Sequence, residues 1–290
     1  MNLKLKTVTS LVISVACITA AGAACLTDEQ VARLAQQYAA KAPADNIEGL
    51  TDADGACSRA KFNVLLAKQF GKVLGYKAGL TNPAVQKRFN TDQPVWGKLY
   101  QGMLLPDGAT VEAAFGARPL YEADLLVRVK SADINQAKTA LEVLASIDQI
   151  MAFIELPDLV VLTPARLNAG AVSAINVGAR LGVAGQPVAV PVSAAERSTW
   201  HDALRDMTVL VTDGTGVSLG QGKGSDLLGH PLNAVLWLST ALAQEGLAMQ
   251  PGDLISLGSF SALLTPRAGQ SASVSYQGLP AAMAVQVNFR

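Results

Sequence analysis

Hydrophobic positions fall in three regimes along this chain. Residues 8–19 are almost continuously apolar, preceded by Lys4 and Lys6 and followed by small residues from Ala20 to Ala24. A basic end, an apolar middle and a small-residue end follow the order of a secretory leader. Ala21-Gly22-Ala23 supplies an A-x-A site, with cleavage expected before Ala24. The run is shorter than the ~20 residues that span a bilayer, so no stable membrane span is expected once the leader is cleaved. The mature chain would be periplasmic or secreted. A lipoprotein acylated on Cys25 is the alternative, but Gly22 stands where such sites usually carry Leu.

The second regime has helical spacing. Thr27-x-x-Gln30 reads as a capping box, and Val31, Leu34, Ala35 and Tyr38 repeat on one face. This predicts a helix to about residue 42, stopped by Pro43. A polar loop over 43–56 follows. Ser58 is the expected N-cap of a second helix, with Phe62, Leu65, Leu66 and Phe70 as its apolar stripe. Residues 24–72 are thus expected to form a helical cap ahead of a main domain over 73–290.

From Val73 the pattern shortens to strands between Gly and Pro. Strands are expected at 73–78, 121–129, 151–155, 207–212, 253–257, 273–276 and 284–289. Helices are expected at 134–147, capped by Asp133, and at 231–245, with Pro231 in its first turn and Gly246 at its end. Strands dominate without a regular βαβ alternation. The class is therefore α+β with a mixed or antiparallel sheet, not a doubly wound fold.

Composition adds three constraints. With 290 residues, half of them hydrophobic, the chain can bury one large core. Lys plus Arg equals Asp plus Glu at 23 each, which gives no electrostatic reason to expect a nucleic-acid partner. Of the three cysteines, Cys17 leaves with the leader. Cys25 and Cys57 remain, and in an exported chain a disulfide between them is expected, with two free thiols as the alternative.

Candidate chemistry sits on two strands. In PLYEADLLVRV, Glu122 and Asp124 are two apart, so both carboxylates share one face, opposite the apolar Tyr121, Ala123, Leu125 and Val127. Glu155 ends the strand IMAFIEL after five hydrophobic residues. Three carboxylates without His or Cys suit a hard cation, Mg²⁺ or Mn²⁺. The plainer alternatives are a solvated face for the pair and a strand cap beside Arg166 for Glu155. Lys77, between Gly75 and Gly79, could bind a carboxylate or act as a base, or simply snorkel. The GQGKG run at 220–224 lacks P-loop spacing and reads as a flexible loop. His201 and His230 lack metal-ligand spacing, and Ser225 and Ser259 lack a G-x-S-x-G context.

These motifs occur in an order that resembles a known family. GYKAGLTNPAVQKRF, QPVWGKLYQGMLL, PLYEADLLVRV, AFIEL, INVGARLGVAG and LGHPLNAVLWLSTALAQEGLAMQPGDLISLGS are similar to blocks of the fumarylacetoacetate hydrolase superfamily. The resemblance is to its branch of 2-keto-4-pentenoate hydratases and oxalocrotonate decarboxylases. It covers roughly residues 75–259. It implies that family's mixed-sheet fold and Glu122, Asp124 and Glu155 as ligands of Mg²⁺ or Mn²⁺. It implies Lys77 as the catalytic proton carrier, with Lys77, Thr81, Gln86, Asn176 and Ser259 as substrate contacts, in a homo-oligomer. The implied activity is a lyase, hydratase or decarboxylase, acting on a small 2-oxo acid or 2-hydroxydienoate through a metal-stabilised enolate. A non-catalytic periplasmic oxo-acid or dicarboxylate binder is the alternative, and hydrolysis of a C–C or C–O bond a third. Three positions depart from the pattern: Asp124 replaces Glu, while Gly102 and Ile175 replace acids that would move protons during hydration.

Overall fold

A computed structural model describes residues 25–89 and 91–290. The expected leader, residues 1–23, lies outside them. Helix α1 (Asp28–Ala39) starts at the expected box: the Thr27 hydroxyl accepts the Gln30 N–H at 3.2 Å, and Gln30 Oε1 accepts the Thr27 N–H at 2.8 Å. Helix α2 (Asp52–Phe70) starts inside the polar loop expected over 43–56, capped by Thr51 and Asp54 rather than Ser58. Gly55 made that stretch look like a loop. Its actual role is close packing, because a Cβ there would collide with the Gly170 carbonyl. Ser58 lies inside the helix, where its hydroxyl donates to the Asp54 carbonyl at 2.7 Å and accepts the Leu26 N–H at 2.9 Å. Cys25 and Cys57 are joined, with Cα atoms 5.6 Å apart, fastening the start of the cap to α2.

The strands that follow are β1 (Val73–Gly79) and, beyond α3 (Pro83–Arg88), β2 (Val95–Tyr100), β3 (Leu104–Pro106), β4 (Thr110–Val111) and β5 (Glu122–Val129). After α4 (Ala140–Ala145) comes β6 (Ile147–Leu156), and after α5 (Ala169–Ala174) come β7 (Leu181–Ala184) and β8 (Val188–Ala189). Helix α6 (Ala194–Asp206) leads to β9 (Thr208–Asp213) and β10 (Ser218–Lys223). Helix α7 (Asn233–Gln244) precedes β11 (Leu254–Ser256), β12 (Ser271–Gln277) and β13 (Met283–Phe289).

The helix expected over 134–147 does not form as one piece. Ser131 caps a 3-10 turn over Ala132–Gln136, a Thr139–Glu142 capping box restarts the chain as the short α4, and β6 begins at Ile147. The GQGKG run is not a flexible loop: 220–223 belong to β10. Its glycines allow close packing, since a Cβ on Gly222 would meet the Phe260 carbonyl and one on Gly224 the Leu204 carbonyl.

Two sheets result. The larger runs β2-β1-β11-β5-β6-β7-β3, with β8 also paired to β6; the smaller runs β10-β9-β12-β13-β4. Both are mixed: β1/β11, β3/β7 and β13/β4 are parallel and the other pairs antiparallel. The architecture is the expected α+β mixed-sheet fold with a helical N-terminal cap. One apolar layer, including Leu125, Val127, Ile154, Val209 and Val285, lies between the sheets and the helices α4, α6 and α7. A second, including Phe62, Leu66, Leu126, Phe153 and Ile175, lies between the large sheet and the cap. Both faces of β5 are therefore buried, which leaves its acids no route to solvent except through a cavity.

Polar contacts around Tyr38 help tie the cap to the main domain. The Tyr38 hydroxyl donates to the Ala179 carbonyl at 2.9 Å. The Arg180 guanidinium lies 4.3 Å over the Tyr38 ring and donates to both the Tyr38 carbonyl and Asp158, at 2.8 and 3.1 Å. Among the described residues, no helix is long and apolar enough to cross a membrane.

Candidate active site

Strands β5 and β6 set Glu122 directly opposite Glu155, and Asp124 follows two residues later on the same face. All three are buried, Asp124 and Glu155 almost completely. Lys77 enters from β1. Its ammonium pairs with Glu155 and donates to the Val177 carbonyl at 3.0 Å. That carbonyl is presented by a kink in which Asn176 and Val177 both take positive φ, +53° and +56°. Asn176 holds the kink in place: its Oδ1 accepts the Lys98 N–H at 2.8 Å and its Nδ2 donates to the Lys98 carbonyl at 2.9 Å. The group facing Lys77 from this segment is thus the backbone of Val177. No side-chain pattern in the sequence signals it.

Charge balance defines the cluster. Burial drives the Glu122 carboxyl well above its ordinary range, and the charge of Glu155 adds to this, while Lys77 opposes it. Burial, then Glu155, raises Asp124 to about 7, although the Ser256 hydroxyl and the Leu125 N–H pull it down. One ammonium faces three carboxylates, and Glu155 Oε2 is buried without a hydrogen-bond partner. Surplus buried negative charge with an orphan oxygen is the environment a cation relieves. Oxygen-only donors fit Mg²⁺, Mn²⁺ or Ca²⁺. Among the described residues, no three His, Cys, Asp or Glu side chains converge on a single cation position. The three acids share one buried cluster, and Lys77 stands among them.

The cluster opens on a cavity of about 430 Å³. Lys77, Glu122, Thr81 and Ser259 give it a polar floor, and Val85, Phe89, Leu159, Val172 and Leu263 form apolar walls. Thr81 is buried, and its hydroxyl has no hydrogen-bond partner. The Ser259 hydroxyl donates to the Ser261 carbonyl at 2.6 Å, and its proximity tempers the upward shift of the Glu122 carboxyl. Gln86 is buried but donates to the Leu80 carbonyl at 2.8 Å, bracing the turn into α3, and does not line the cavity. Gly102 and Ile175 do not line it either. Gly102 is exposed beyond the far end of β2, tight against Phe70, and Ile175 is buried in the layer beneath the cap. Neither position therefore contributes to the cavity. His201 and His230 stack with ring centroids 4.5 Å apart, also outside it. A larger hollow of about 650 Å³ between α1 and residues 44–54 gathers no comparable cluster.

No protein-family profile matches the chain. Individual relatives do. The chain is 28% identical over 239 residues to a 2-keto-4-pentenoate hydratase of Burkholderia vietnamiensis, covering 79% of this chain and 84% of that one. It is 27% identical over 209 residues to a 4-oxalocrotonate decarboxylase of Pseudomonas putida, covering 72% and 75%. Its fold matches the 4-oxalocrotonate decarboxylase from Pseudomonas putida G7, solved with magnesium and adipate, with a TM-score of 0.74 at 24% identity over 91% of this chain and 99% of that one. The chain is thus similar in sequence to 2-keto-4-pentenoate hydratases and a 4-oxalocrotonate decarboxylase, and its fold is that of the fumarylacetoacetate hydrolase superfamily. A more distant fold match is a fumarylpyruvate hydrolase from Pseudomonas aeruginosa, solved with Mn²⁺ and pyruvate, with a TM-score of 0.51 at 13% identity over 74% and 89% of the two chains. Within this fold, the β5–β6 acids and the β1 lysine form one buried cluster, of which Glu122 and Lys77 line the cavity.

Proposed function

We propose that this chain is a divalent-metal-dependent lyase, a hydratase or decarboxylase, for a small 2-oxo acid or 2-hydroxydienoate. One observation carries the reading: Glu122 and Lys77 line a cavity of about 430 Å³, and Asp124 and Glu155 lie buried behind them in one acidic cluster countered by that single lysine. The names of the curated relatives support the reaction class, and the ions in the related structures support the cofactor class.

Glu122 and Glu155 have the donor capacity to hold Mg²⁺ or Mn²⁺. The bound ion would supply Lewis acidity toward the two oxygens of a 2-oxo acid. Lys77 would give or take the proton at C3, because its ammonium reaches the cluster from the cavity side and pairs with a carboxylate that can hold it in place. The unpartnered Thr81 hydroxyl would donate to a substrate oxygen. Ser259 lines the same cavity as Glu122, and the apolar part of its wall would keep bulk water from the reacting carbon. The leader pattern and the Cys25–Cys57 bridge support a periplasmic or secreted location.

The test is deuterium exchange at C3 of several 2-oxo acids, followed by NMR with the mature protein and Mg²⁺ or Mn²⁺. Exchange is expected, with its loss in Lys77→Met. Oxo acids that bind the wild type without any exchange would replace the catalytic reading with a binding function.

A further inference from the structure

We infer that Asp124 is a clasp for the cavity wall and not a cation ligand, so that Glu122 and Glu155 are the carboxylates left to hold the ion. The inference refines the metal reading above. An ionised carboxylate has about four lone-pair sites. Asp124 has four donors: Oδ1 accepts the N–H groups of Leu125 at 2.6 Å, Leu257 at 3.1 Å and Gly258 at 2.8 Å, and Oδ2 accepts the Ser256 hydroxyl. It is fully buried and does not line the cavity. Glu122 does line it; Glu155 does not, but unlike Asp124 it keeps an oxygen with no partner at all, and that free oxygen is what separates the two. Asp124 is also one methylene shorter than the Glu that the resembling family carries there, which keeps its carboxyl close to the β11 main chain.

The clasp has a purpose in this cavity. Leu257 and Gly258 open the turn that leaves β11, and the next residues, Ser259, Phe260 and Ser261, form part of the wall. Gly258 has φ +101°, and a Cβ there would collide with the Thr81 hydroxyl. By fixing the N–H groups of this turn, Asp124 sets how closely the Ser259 wall approaches Thr81. It is a positioning residue.

Two measurements decide the point. The first needs no metal: hydrogen–deuterium exchange of the peptide spanning 254–263. Asp124→Ala should speed exchange there by at least about tenfold. Asp124→Asn, which keeps the shape and the Oδ1 acceptor, should stay within about threefold of wild type. Unchanged exchange in Asp124→Ala would overturn the clasp. The second counts the water molecules on bound Mn²⁺ by electron–nuclear double resonance. Asp124→Asn lowers the affinity by removing a nearby charge, but should leave the water count as in wild type, whereas Glu155→Gln should gain a water. A water gained in Asp124→Asn would make Asp124 a ligand and overturn the inference. If wild type binds no Mn²⁺, the metal reading itself fails, and the exchange measurement alone judges the clasp. If Asp124→Ala does not fold, the water count in Asp124→Asn decides.

Discussion

Replacing Lys77 with Met tests the charge balance most directly. Methionine keeps an unbranched apolar stem, so packing is largely retained and the change is the loss of one ammonium. In the folded protein the Lys77 and Glu155 side chains are 3% and 2% exposed, so water cannot take over the role of the lost partner. Removing one member of a buried pair costs about 3–5 kcal/mol. At roughly 2–4 °C per kcal/mol for a chain of this size, the metal-free variant should melt roughly 6–20 °C below wild type. The pH dependence has a definite sign. Glu122 and Asp124 have folded pKa values above their ordinary ones. The folded state therefore holds protons more tightly than the unfolded state, and acidification stabilises it by neutralising the cluster. The deficit of the variant should be largest near pH 8 and shrink toward pH 5. Thermal melts in a chelating buffer at both values measure it. A variant melting within about 2 °C of wild type at pH 8, or a deficit that grows on acidification, would refute the argument.

Other consequences are checked in similar ways. In metal-free wild type, Asp124 is raised from 3.8 to about 7, so stability should fall as pH rises between these values, and saturating Mg²⁺ or Mn²⁺ should flatten the slope; a metal-free stability that rises across that window would contradict the assignment. Reduction of the Cys25–Cys57 bridge, which closes 32 residues, should cost roughly 3–4 kcal/mol in the chain-entropy account, and a denaturation midpoint insensitive to reductant would deny it that role. Thr81→Val removes the orphan hydroxyl at the cavity floor. It should leave the melting temperature of the free protein unchanged or slightly raised and weaken oxo-acid binding by about 2–10-fold, and unchanged affinity by calorimetry would show that Thr81 makes no substrate contact.

What could be read from the sequence was what is local. The Thr27–Gln30 box, the strand carrying Glu122 and Asp124, and the apolar run ending at Glu155 all rest on periodicity and capping, which neighbouring residues determine. The errors arose where tertiary contacts set local structure. Gly55, Gly222 and Gly224 suggest loops by composition, yet each is small because another backbone passes against it. The kink at Asn176 and Val177 depends on the edge of β2 that it meets in space, whereas the break at 136–139 is set by a local Thr139–Glu142 capping box. Likewise, Asn176 and Gln86 look like substrate contacts in their motifs, but the structure uses both amides to brace backbone.

The pairing of Lys77 with Glu155 is the least local feature and explains why the chemistry depends on this fold. Between β1 and β6 the sheet order interposes β11 and β5. At about 4.8 Å per strand, a flat sheet would hold the two backbones roughly 14 Å apart. An ion pair across two intervening strands therefore requires the sheet to twist and curl until its faces approach themselves. Several features at this turn of the sheet favour close approach. Strand β11 is only three residues long. A Cβ on Gly75 would collide with Leu254, and one on Gly97 with the Asn176 carbonyl. Small residues at these crossings let β1 draw close to β11, and β2 to the kink that presents Val177. The same curl buries Asp124 against the turn after β11 and leaves Glu122 at the cavity. Position in the curl, more than residue type, thus separates the acid that braces the wall from the acid that faces the cavity.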